Sequence, residues 1–354
     1  MNSNHYLSRL IILGLVTTLV FACQNVTPVE VIEPTLPRSY VAHFAKSPPN
    51  INGVIDSLEW DSIEWSEDFV DIQSDIKPRF NSKYKMSWDE DNLYILAHLQ
   101  EEHVWANLKN RDTVIFYNND FEVFIDHNGD THNYVELEIN ALNTVWDLFI
   151  DKPYLNGANV NNGWDIKGFK SAVGIGGSLN NYSDKDEYWN IEMSIPWKSL
   201  TIMDFDGFAP EEQVWRINFS RVQWQHDTSL GHYARKKDDS GSFLKEDNWV
   251  WSRQVDVNMH KPEYWGLVFF TKDYTIRQFD PSKDLILINW MYRIFRSSKR
   301  LKTTFKSIER IGQFEQDTIR LRDTLIENKT FIGFKSPFSE NNYLINQDGK
   351  LEIQ

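Results

Sequence analysis

Apolar and polar side chains alternate along much of this chain, between residues 40 and 270. A period of two places the apolar side chains of a strand on one face of a sheet, whereas an amphipathic helix needs a period of about 3.6. The alternating stretches are 84–88, 93–99, 121–125, 135–139, 189–195 and 215–219. Short alternating strands separated by polar turns predict a mainly β fold, an antiparallel β-sandwich of the jelly-roll or immunoglobulin-like kind.

The pattern changes near residue 271, where a different kind of segment begins. Apolar residues over 284–311 recur close to helical spacing, and seven lysines and arginines there oppose only two acids, which predicts a basic amphipathic helix. Such a helix either contacts anionic lipid headgroups or docks on the acidic main domain, and we favour docking. Asp348-Gly349 between two apolar stretches then indicates a hairpin. We therefore expect a β-sandwich domain over residues 40–270 and a small α+β extension over 271–354.

Residues 1–22 are predicted to be an export signal, because their apolar run of about a dozen residues is too short to cross a bilayer as a mature helix. The run ends at Ala22-Cys23, and a small residue before the only cysteine resembles the lipobox of bacterial lipoproteins. This resemblance implies lipidation of Cys23 and, because Gln24 is not an aspartate, a place on the periplasmic or surface face of the outer membrane. An ordinary signal peptide with a chance cysteine is the alternative. Residues 23–39 hold three prolines and are predicted to be a tether.

The net charge of the chain excludes one class of partner. Lysine and arginine total 37 against 51 aspartates and glutamates, which gives a formal net charge of −14. A protein that binds along a phosphate backbone needs a basic face, so we expect no nucleic-acid partner. The single cysteine likewise excludes a scaffold that is held together by disulfide bonds.

The polar positions of the predicted strands carry an unusual set of side chains. They are Glu122, Glu136, Glu138, Glu192, Arg216 and Asn218. Carboxylate, guanidinium and amide groups held on rigid strands can each form two hydrogen bonds to a hydroxyl-rich ligand, so Arg216 and Asn218 are candidate ligand-binding residues. The alternative is a solvated sheet with ion pairs across its strands.

The chain contains 14 tryptophans, an excess that the filling of a core does not explain. A sugar ring presents one face of C–H groups, which a flat aromatic ring can cover, and a rim of hydroxyls. Tryptophans within the alternating stretches are assigned to the core. The others that we single out lie in polar stretches predicted to be loops, where they are candidate platforms for a sugar. These are Trp105, Trp224, Trp249 and Trp251.

Seven motifs follow one another in order over about residues 48–270. They lie at 51–60, 88–95, 119–126, 134–140, 195–197, 215–221 and 258–266. As an ordered set they resemble the carbohydrate-binding module family 9 in its stand-alone bacterial form. The resemblance implies a β-sandwich that binds an oligosaccharide or polysaccharide without cleaving it, often between two aromatic rings and with bound calcium. Such a protein would work within a polysaccharide-utilisation system.

The same resemblance implies roles for single residues. Glu122 lies where the family has a carboxylate that binds sugar hydroxyls. Phe116 and Tyr117 lie where the first of the two clamping aromatic residues falls, although this chain has no tryptophan there. These three residues are therefore candidate ligand-binding residues.

A candidate metal site lies within residues 126–130. Asp126, Asn128 and Asp130 place three oxygen-bearing side chains at alternate positions, and calcium binds where several oxygens converge. A structural calcium ion at this place would agree with the resemblance. An Asx-rich turn is the alternative for the same residues.

Two other classes of function stay open. Glu136, Glu138 and Glu192 could supply the paired carboxylates of a glycoside hydrolase, or of a protein associated with one, although no nucleophile, phosphate-binding or zinc motif accompanies them. Related sandwiches in electron-transfer proteins hold haem, which needs axial ligands. Candidates for those ligands are Met86, His98, His103 and His232.

Overall fold

Residues 28–55, 57–300 and 308–354 are described by the computed structural model of the chain. The predicted export signal and Cys23 lie outside the described residues. In chain order the helices and strands are β1 (Val29–Val31), β2 (Ser39–Phe44), α1 (Ser57–Trp60), β3 (Val70–Asp71), β4 (Ser82–Trp88), β5 (Asn92–Gln100), β6 (Asp120–Asp126), β7 (Tyr134–Asn140), β8 (Val145–Ile150), β9 (Val160–Asn161), β10 (Lys170–Gly176), β11 (Tyr188–Pro196), β12 (Val214–Gln223), β13 (His226–Asp227), β14 (Ala234–Arg235), β15 (Asp247–Val250), β16 (Gly266–Thr271), α2 (Lys283–Arg300), β17 (Glu309–Phe314), β18 (Asp317–Ile326), β19 (Lys329–Lys335), β20 (Asn342–Ile345) and β21 (Leu351–Ile353). Short 3-10 helical turns lie at Ile115–Tyr117, Tyr154–Asn156, Trp197–Met203 and Pro262–Tyr264.

Thirteen strands form one large sheet in the order β10-β11-β5-β4-β2-β16-β12-β6-β7-β8-β9, with β15 beside β12 and β3 beside β15. Strand β12 connects the two halves of this sheet. One edge of β12 pairs with β16 near its start and with β15 near its end, and the other edge pairs with β6. The sheet therefore continues from one half into the other through a single long strand.

The two halves of the large sheet face each other across a common core. Tyr84 and Met86 of β4 belong to the same buried cluster as Phe121 of β6 and Phe219 of β12. The rings of Tyr84 and Phe219 lie 4.0 Å apart between centroids, which brings opposite halves of the sheet into contact. The prediction of a mainly β sandwich is confirmed, and the apolar side of each alternating strand forms its core.

Most strand pairs of the sandwich are antiparallel, as the alternation predicts, but β2 is an exception. It runs parallel to both of its neighbours, β4 and β16. No tight turn links β2 to either neighbour along the chain, so hairpin geometry does not dictate an antiparallel register there.

A second sheet of six strands, in the order β1-β17-β18-β19-β20-β21, forms the C-terminal extension together with α2. Strand β1 lies within residues 23–39, for which the sequence predicts a tether, and it pairs in parallel with β17. The next residue, Ile32, is only 2% exposed because it packs into the core between this sheet and α2. Residues 29–32 therefore belong to a folded unit. Strands β20 and β21 pair across the predicted Asp348-Gly349 turn.

The helix predicted over 284–311 is shorter in the structure. Helix α2 spans Lys283–Arg300, and the chain from Glu309 onward forms β17. Leu287 and Trp290 of α2 are buried against the small sheet. The helix also contacts the sandwich, because Arg296 donates to the Glu263 carboxylate with an Nη2–Oε2 distance of 2.9 Å. Among the described residues no helix combines the length and the apolar character needed to cross a membrane.

Candidate functional site

One face of the large sheet is polar along β6 and β7. Odd-numbered residues of these strands enter the core, so even-numbered residues project from the opposite face. Asp120 and Glu122 of β6 and Glu136 and Glu138 of β7 lie on this opposite face, and all four are buried. The polar face predicted from the sequence is therefore present, but loops cover it and shield it from solvent.

A cavity of about 350 Å³ remains between this face and the loops that cover it. Its size falls in the range of small-molecule sites, roughly 300–1,000 Å³. Three of the buried glutamates form its polar floor, and aromatic rings and apolar side chains form its walls. The lining residues are Ile72, Phe116, Glu122, Glu136, Glu138, Trp146, Leu148, Tyr154, Val222, Glu246, Asn248, Val257, Asn258, Met259 and His260.

The aromatic walls of the cavity come from three elements. Trp146 of β8 lies opposite Glu138 of β7 in the sheet register, and its Nε1 donates to Asn162 Oδ1 at 2.8 Å. Tyr154 is 45% exposed and its ring meets the ring of His260 edge-on at 4.2 Å. Flat apolar rings and carboxylates therefore face the same space, which is the combination that a sugar ring requires.

The carboxylates of the floor repel one another. Glu122 and Glu138 are directly opposite in the β6–β7 register, and carboxylate oxygens of Asp120, Glu122 and Glu138 all lie within 4.8 Å of one another. Burial raises the pKa of the Glu122 carboxyl to about 7. Burial and the neighbouring carboxylates raise the pKa values of Asp120 and Glu138 well above their usual range. The floor therefore favours neutral forms of these groups or a bound positive charge.

Phe116 and Tyr117, the candidates for the clamping position, differ in their surroundings. Phe116 lines the cavity, and its backbone N–H donates to Glu138 Oε2 at 2.9 Å. Tyr117 is 47% exposed, and the guanidinium of Arg235 lies 4.6 Å from its ring centroid. The structure brings Phe116 and Glu122 together in one cavity, whereas Tyr117 is not among the lining residues.

The four tryptophans predicted to lie in exposed loops are buried. Trp105, Trp224, Trp249 and Trp251 are 2%, 6%, 4% and 1% exposed. Trp249 lies in β15, so the loop prediction is wrong for it, whereas Trp251 follows the end of β15 in a loop as predicted; both rings belong to the main core. Trp224 Nε1 donates to the Phe116 carbonyl oxygen at 2.7 Å, which supports the cavity wall from behind. A stacking platform needs a free ring face, which these buried rings do not offer.

Arg216 and Asn218 hold the covering loop in place, although the sequence made them candidates for ligand contact. Arg216 Nη1 donates to the Glu263 carbonyl oxygen at 2.7 Å. The Asn218 side chain donates to the Ser252 carbonyl at 3.0 Å and accepts from the Ser252 N–H at 2.9 Å. Both side chains are buried, and neither lines the cavity. Their polar groups are used to fix the segment between residues 252 and 264.

The residues of the predicted calcium site do not fit a metal ion. Asp126 Oδ1 and Oδ2 accept from the backbone N–H groups of Gly129 and Thr131 at 3.0 and 2.9 Å. Asn128 Oδ1 accepts from the Asp130 N–H at 3.0 Å, and Lys350 Nζ lies 3.3 Å from Asp130 Oδ2. The oxygens point at the amides of their own turn, which is the geometry of Asx turns. The turn alternative therefore accounts for Asp126, Asn128 and Asp130.

Glu192 has a structural role, whereas the hydrolase alternative made it a candidate catalytic carboxylate. Its Oε2 accepts from the backbone N–H groups of Asn52 and Gly53 at 2.9 Å each, and its Oε1 accepts from Trp60 Nε1 at 3.0 Å. The carboxylate thus anchors the segment at 51–60 to the outside of β11 and does not line the cavity. Glu136 and Glu138 do share the cavity with Glu122.

The candidate haem ligands are not brought together. Met86 is buried in the core, whereas His98 lies on the other face of the same sheet and bonds the Asn190 side chain at 2.7 Å. The Nδ1 atom of His103 lies 2.9 Å from the Tyr233 hydroxyl, and His232 is exposed. A haem needs ligands that face one shared space, and Met86 and His98 face opposite sides of the sheet.

The sequence analysis did not single out Trp146, Tyr154 or His260. Trp146, Leu148 and Ile150 alternate along β8, which is a signal that could have placed Trp146 on the polar face. Val145 and Phe149 are apolar as well, so the alternation is hidden in a nearly continuous apolar run. Tyr154 and His260 lie outside the strands, where periodicity gives no information.

The burial of His260 in the cavity wall can be tested through the pH dependence of the free energy of unfolding. Burial lowers its pKa to about 3, so the folded protein keeps the ring neutral while the unfolded chain binds a proton below about pH 6.5. Stability is therefore lost as the pH falls from about 6.5 towards 3. We expect His260→Gln to remove about 1–2 kcal/mol of the loss that wild type shows between about pH 7.5 and pH 5 in urea titrations. The exposed His232→Gln should keep the wild-type loss, and an unchanged loss in His260→Gln would contradict the assignment.

A β-sandwich with a polar, aromatic-walled cavity on one sheet face defines a small-ligand-binding module. The family described as carbohydrate family 9 binding domain-like matches residues 51–272, and the chain belongs to this family. No curated protein sequence matches the chain.

Three solved structures are similar in part to this fold. A family 9 carbohydrate-binding module from Caldicellulosiruptor kristjanssonii in complex with glucose has 15% identity and a TM-score of 0.42, over 70% of this chain and 100% of that one. The same source's module in complex with cellotriose has 16% identity and a TM-score of 0.42, over 69% and 100%. A putative carbohydrate-binding protein from Bacteroides uniformis has 15% identity and a TM-score of 0.49, over 66% and 99%.

Proposed function

We propose that this chain binds an oligosaccharide, or the end of a polysaccharide, in the cavity on β6, β7 and β8 without cleaving it. The observation that carries the proposal is the pairing of two aromatic rings, the partly buried Trp146 and the exposed Tyr154, with the buried carboxylates of Glu122, Glu136 and Glu138 in one space. Membership of the family is the second support.

The chemistry of the cavity suits a sugar better than an apolar ligand. Three glutamates contribute acceptors for hydroxyl protons, and carboxylates accept the stronger, charge-assisted hydrogen bonds. The rings of Trp146 and Tyr154 can cover the C–H face of the same sugar, which removes that face from water. A purely apolar ligand would leave buried carboxylates without partners, which costs free energy.

The proposal extends to the place of the protein in the cell. We place it as an exported lipoprotein of the outer membrane, within a polysaccharide-utilisation system. The support is the apolar run that ends at Ala22-Cys23, and both residues lie outside the described part of the chain. Metabolic labelling with a radioactive fatty acid should mark the wild-type protein in the membrane fraction. Labelling that persists in Cys23→Ser would refute lipidation at this residue.

A glycan array followed by calorimetry tests the binding function. We expect the purified chain to retain a subset of plant- or algal-type oligosaccharides, and to be retarded in gels that contain the matching polysaccharide. Incubation with that polysaccharide should release no new reducing ends, whereas release would indicate the hydrolase alternative. Binding to no glycan on the array, with and without added calcium, would contradict the proposed function.

A further inference from the structure

Three buried acids lie close together at the cavity, where Glu122 and Glu138 belong to the floor and Asp120 lies beside them without lining it. Oxygens of Asp120, Glu122 and Glu138 are within 4.8 Å of one another, and the side chains are 0%, 4% and 2% exposed. Asp120 and Glu122 are two residues apart on β6, and Glu138 lies opposite Glu122 on β7, so regular strand geometry creates the cluster. We call these three residues the acidic triad.

Two oxygens of the acidic triad have no hydrogen bond of normal geometry within the described part of the chain. Asp120 Oδ1 accepts from the Val222 N–H at 3.2 Å, and Glu138 Oε2 accepts from the Phe116 N–H at 2.9 Å. Asp120 Oδ2 and Glu122 Oε2 are buried without such a bond, and the Ser220 hydroxyl is the polar group that lowers the Glu122 pKa. A buried polar atom without a partner costs free energy, so these two oxygens favour a ligand between the strands.

No positive side chain that the structure describes forms a direct ion pair with the acidic triad. Among the described residues, no lysine, arginine or histidine nitrogen lies within 4.0 Å of its carboxylates. Arg221 pairs with Glu101 at 2.8 Å, and its charge offsets only part of the effect that burial and Glu122 have on the pKa of Asp120. Buried carboxylates in contact are stable only with protons or with a cation.

A second acidic cluster in the same protein shows the contrast. Asp112, Asp147 and Asp165 also bring their oxygens within 4.8 Å. The guanidinium of Arg111 pairs with Asp147, and its Nε lies 2.8 Å from Asp165 and 3.6 Å from Asp112. This cluster is compensated by direct ion pairs with Arg111, whereas the acidic triad has no direct ion pair.

We propose that Asp120, Glu122 and Glu138 bind one calcium ion at the floor of the cavity, and that this ion takes part in sugar binding. Calcium lies about 2.3–2.6 Å from its oxygen ligands, so oxygens on opposite sides of one ion are about 4.6–5.2 Å apart. Oxygens of the acidic triad all lie within 4.8 Å of one another, so one calcium ion can contact all three carboxylates. An all-oxygen ligand set selects calcium over zinc, which prefers nitrogen and sulfur.

The remaining coordination positions of the ion face the cavity, because Glu122 and Glu138 line it. Calcium takes six to eight oxygen ligands, and the acidic triad supplies only part of this number. Water completes the shell in the free protein, and two neighbouring sugar hydroxyls can replace that water. This second half of the inference rests on the proposed function, whereas calcium binding itself does not.

The metal site is tested without any sugar. The purified chain is treated with EDTA, exchanged into buffer at about pH 8, and titrated with calcium chloride by calorimetry and with terbium by tryptophan-sensitised luminescence. We expect one ion per chain in wild type and at least a tenfold loss of affinity in Asp120→Asn. Asp165→Asn, in the compensated cluster, is the matched control and should bind as wild type does.

Further measurements distinguish loss of the metal site from misfolding, and failure of calcium binding from failure of sugar binding. Asp120→Asn keeps the size of the side chain and removes one repelling charge, so circular dichroism should show a folded variant. Calcium should raise the Tm of wild type and leave that of Asp120→Asn unchanged. No calcium binding in the millimolar range, or equal binding by both proteins, overturns the inference. Calcium binding without sugar binding supports the site and contradicts the proposed function, and sugar binding that is unchanged by EDTA overturns the role of the ion in recognition.

Discussion

We expect Trp146→Ala to weaken the proposed sugar binding by about 10- to 100-fold, which corresponds to about 1.4–2.7 kcal/mol of binding free energy. Trp146 stands beside the buried glutamates and supplies a flat face to the cavity. Truncation of such an aromatic anchor removes the largest apolar contact that a sugar ring can make there. Isothermal titration calorimetry with the glycan selected on the array measures the effect.

Two further variants make the result of Trp146→Ala specific. Trp146→Phe keeps a flat ring and should retain most of the affinity. Trp65 is a half-buried tryptophan outside the cavity, and its ring centroid lies 4.5 Å from Lys83 Nζ. Trp65→Ala should therefore bind as wild type does. Wild-type affinity in Trp146→Ala, or an equal loss in Trp65→Ala, would remove Trp146 from the binding site.

Arg221→Ala lowers the free energy of unfolding by about 3–5 kcal/mol, a large part of the stability of an ordinary domain. Arg221 is fully buried and donates to Glu101, to the Gln100 carbonyl at 2.8 Å and to Ser82 Oγ at 3.1 Å. Its removal leaves the Glu101 carboxylate, 2% exposed, without its cation. Urea titration with an unchanged m-value measures the effect as a lower midpoint.

The matched control for Arg221→Ala is an arginine in a surface ion pair. Arg253 lies 3.1 Å from Asp75, and their side chains are 39% and 77% exposed. Exposed pairs contribute about 0–1 kcal/mol, so Arg253→Ala should barely move the midpoint. Replacing both members of the buried pair, Glu101→Leu with Arg221→Met, should recover part of the loss because no lone charge remains. Equal midpoints for Arg221→Ala and Arg253→Ala would contradict the role of the buried pair.

The sequence predicted the sandwich because alternation reports directly on which side chains a sheet buries. Phe121, Val123 and Ile125 lie in the core as their spacing predicts. The same alternation placed Glu122 and Glu138 on the opposite face, where they form the floor of the cavity. These successes depend only on the two-residue repeat of a strand, which is a local property.

The sequence did not predict that loops cover the polar face, because this covering depends on contacts between residues that are far apart in the chain. Trp249 lies in a four-residue strand that pairs with Asp71 of β3, about half the chain away. Trp105 is buried against Tyr233, another distant residue, and the rings stack at 6.1 Å. Polar neighbours in the sequence indicated loops, whereas long-range pairing put these rings inside.

The calcium prediction shows the limit of reading ligands from spacing alone. Asp126, Asn128 and Asp130 have the composition of a metal loop, but backbone amides of the turn take their oxygens. The acidic triad has no motif, since two of its members come from β6 and the third from β7. Only the register between the strands brings them together.

If Cys23 carries a lipid as proposed, the pairing of β1 with β17 limits the distance between the folded chain and the membrane. Cys23 is six residues before Val29, where that pairing begins. A fully extended chain covers at most about 3.5 Å per residue, so a lipid on Cys23 would keep the edge of the six-stranded sheet within about 20 Å of the bilayer. Lipidation at Cys23 would then hold the C-terminal sheet close to the bilayer, because residues 29–31 are fixed in that sheet and cannot serve as a free tether.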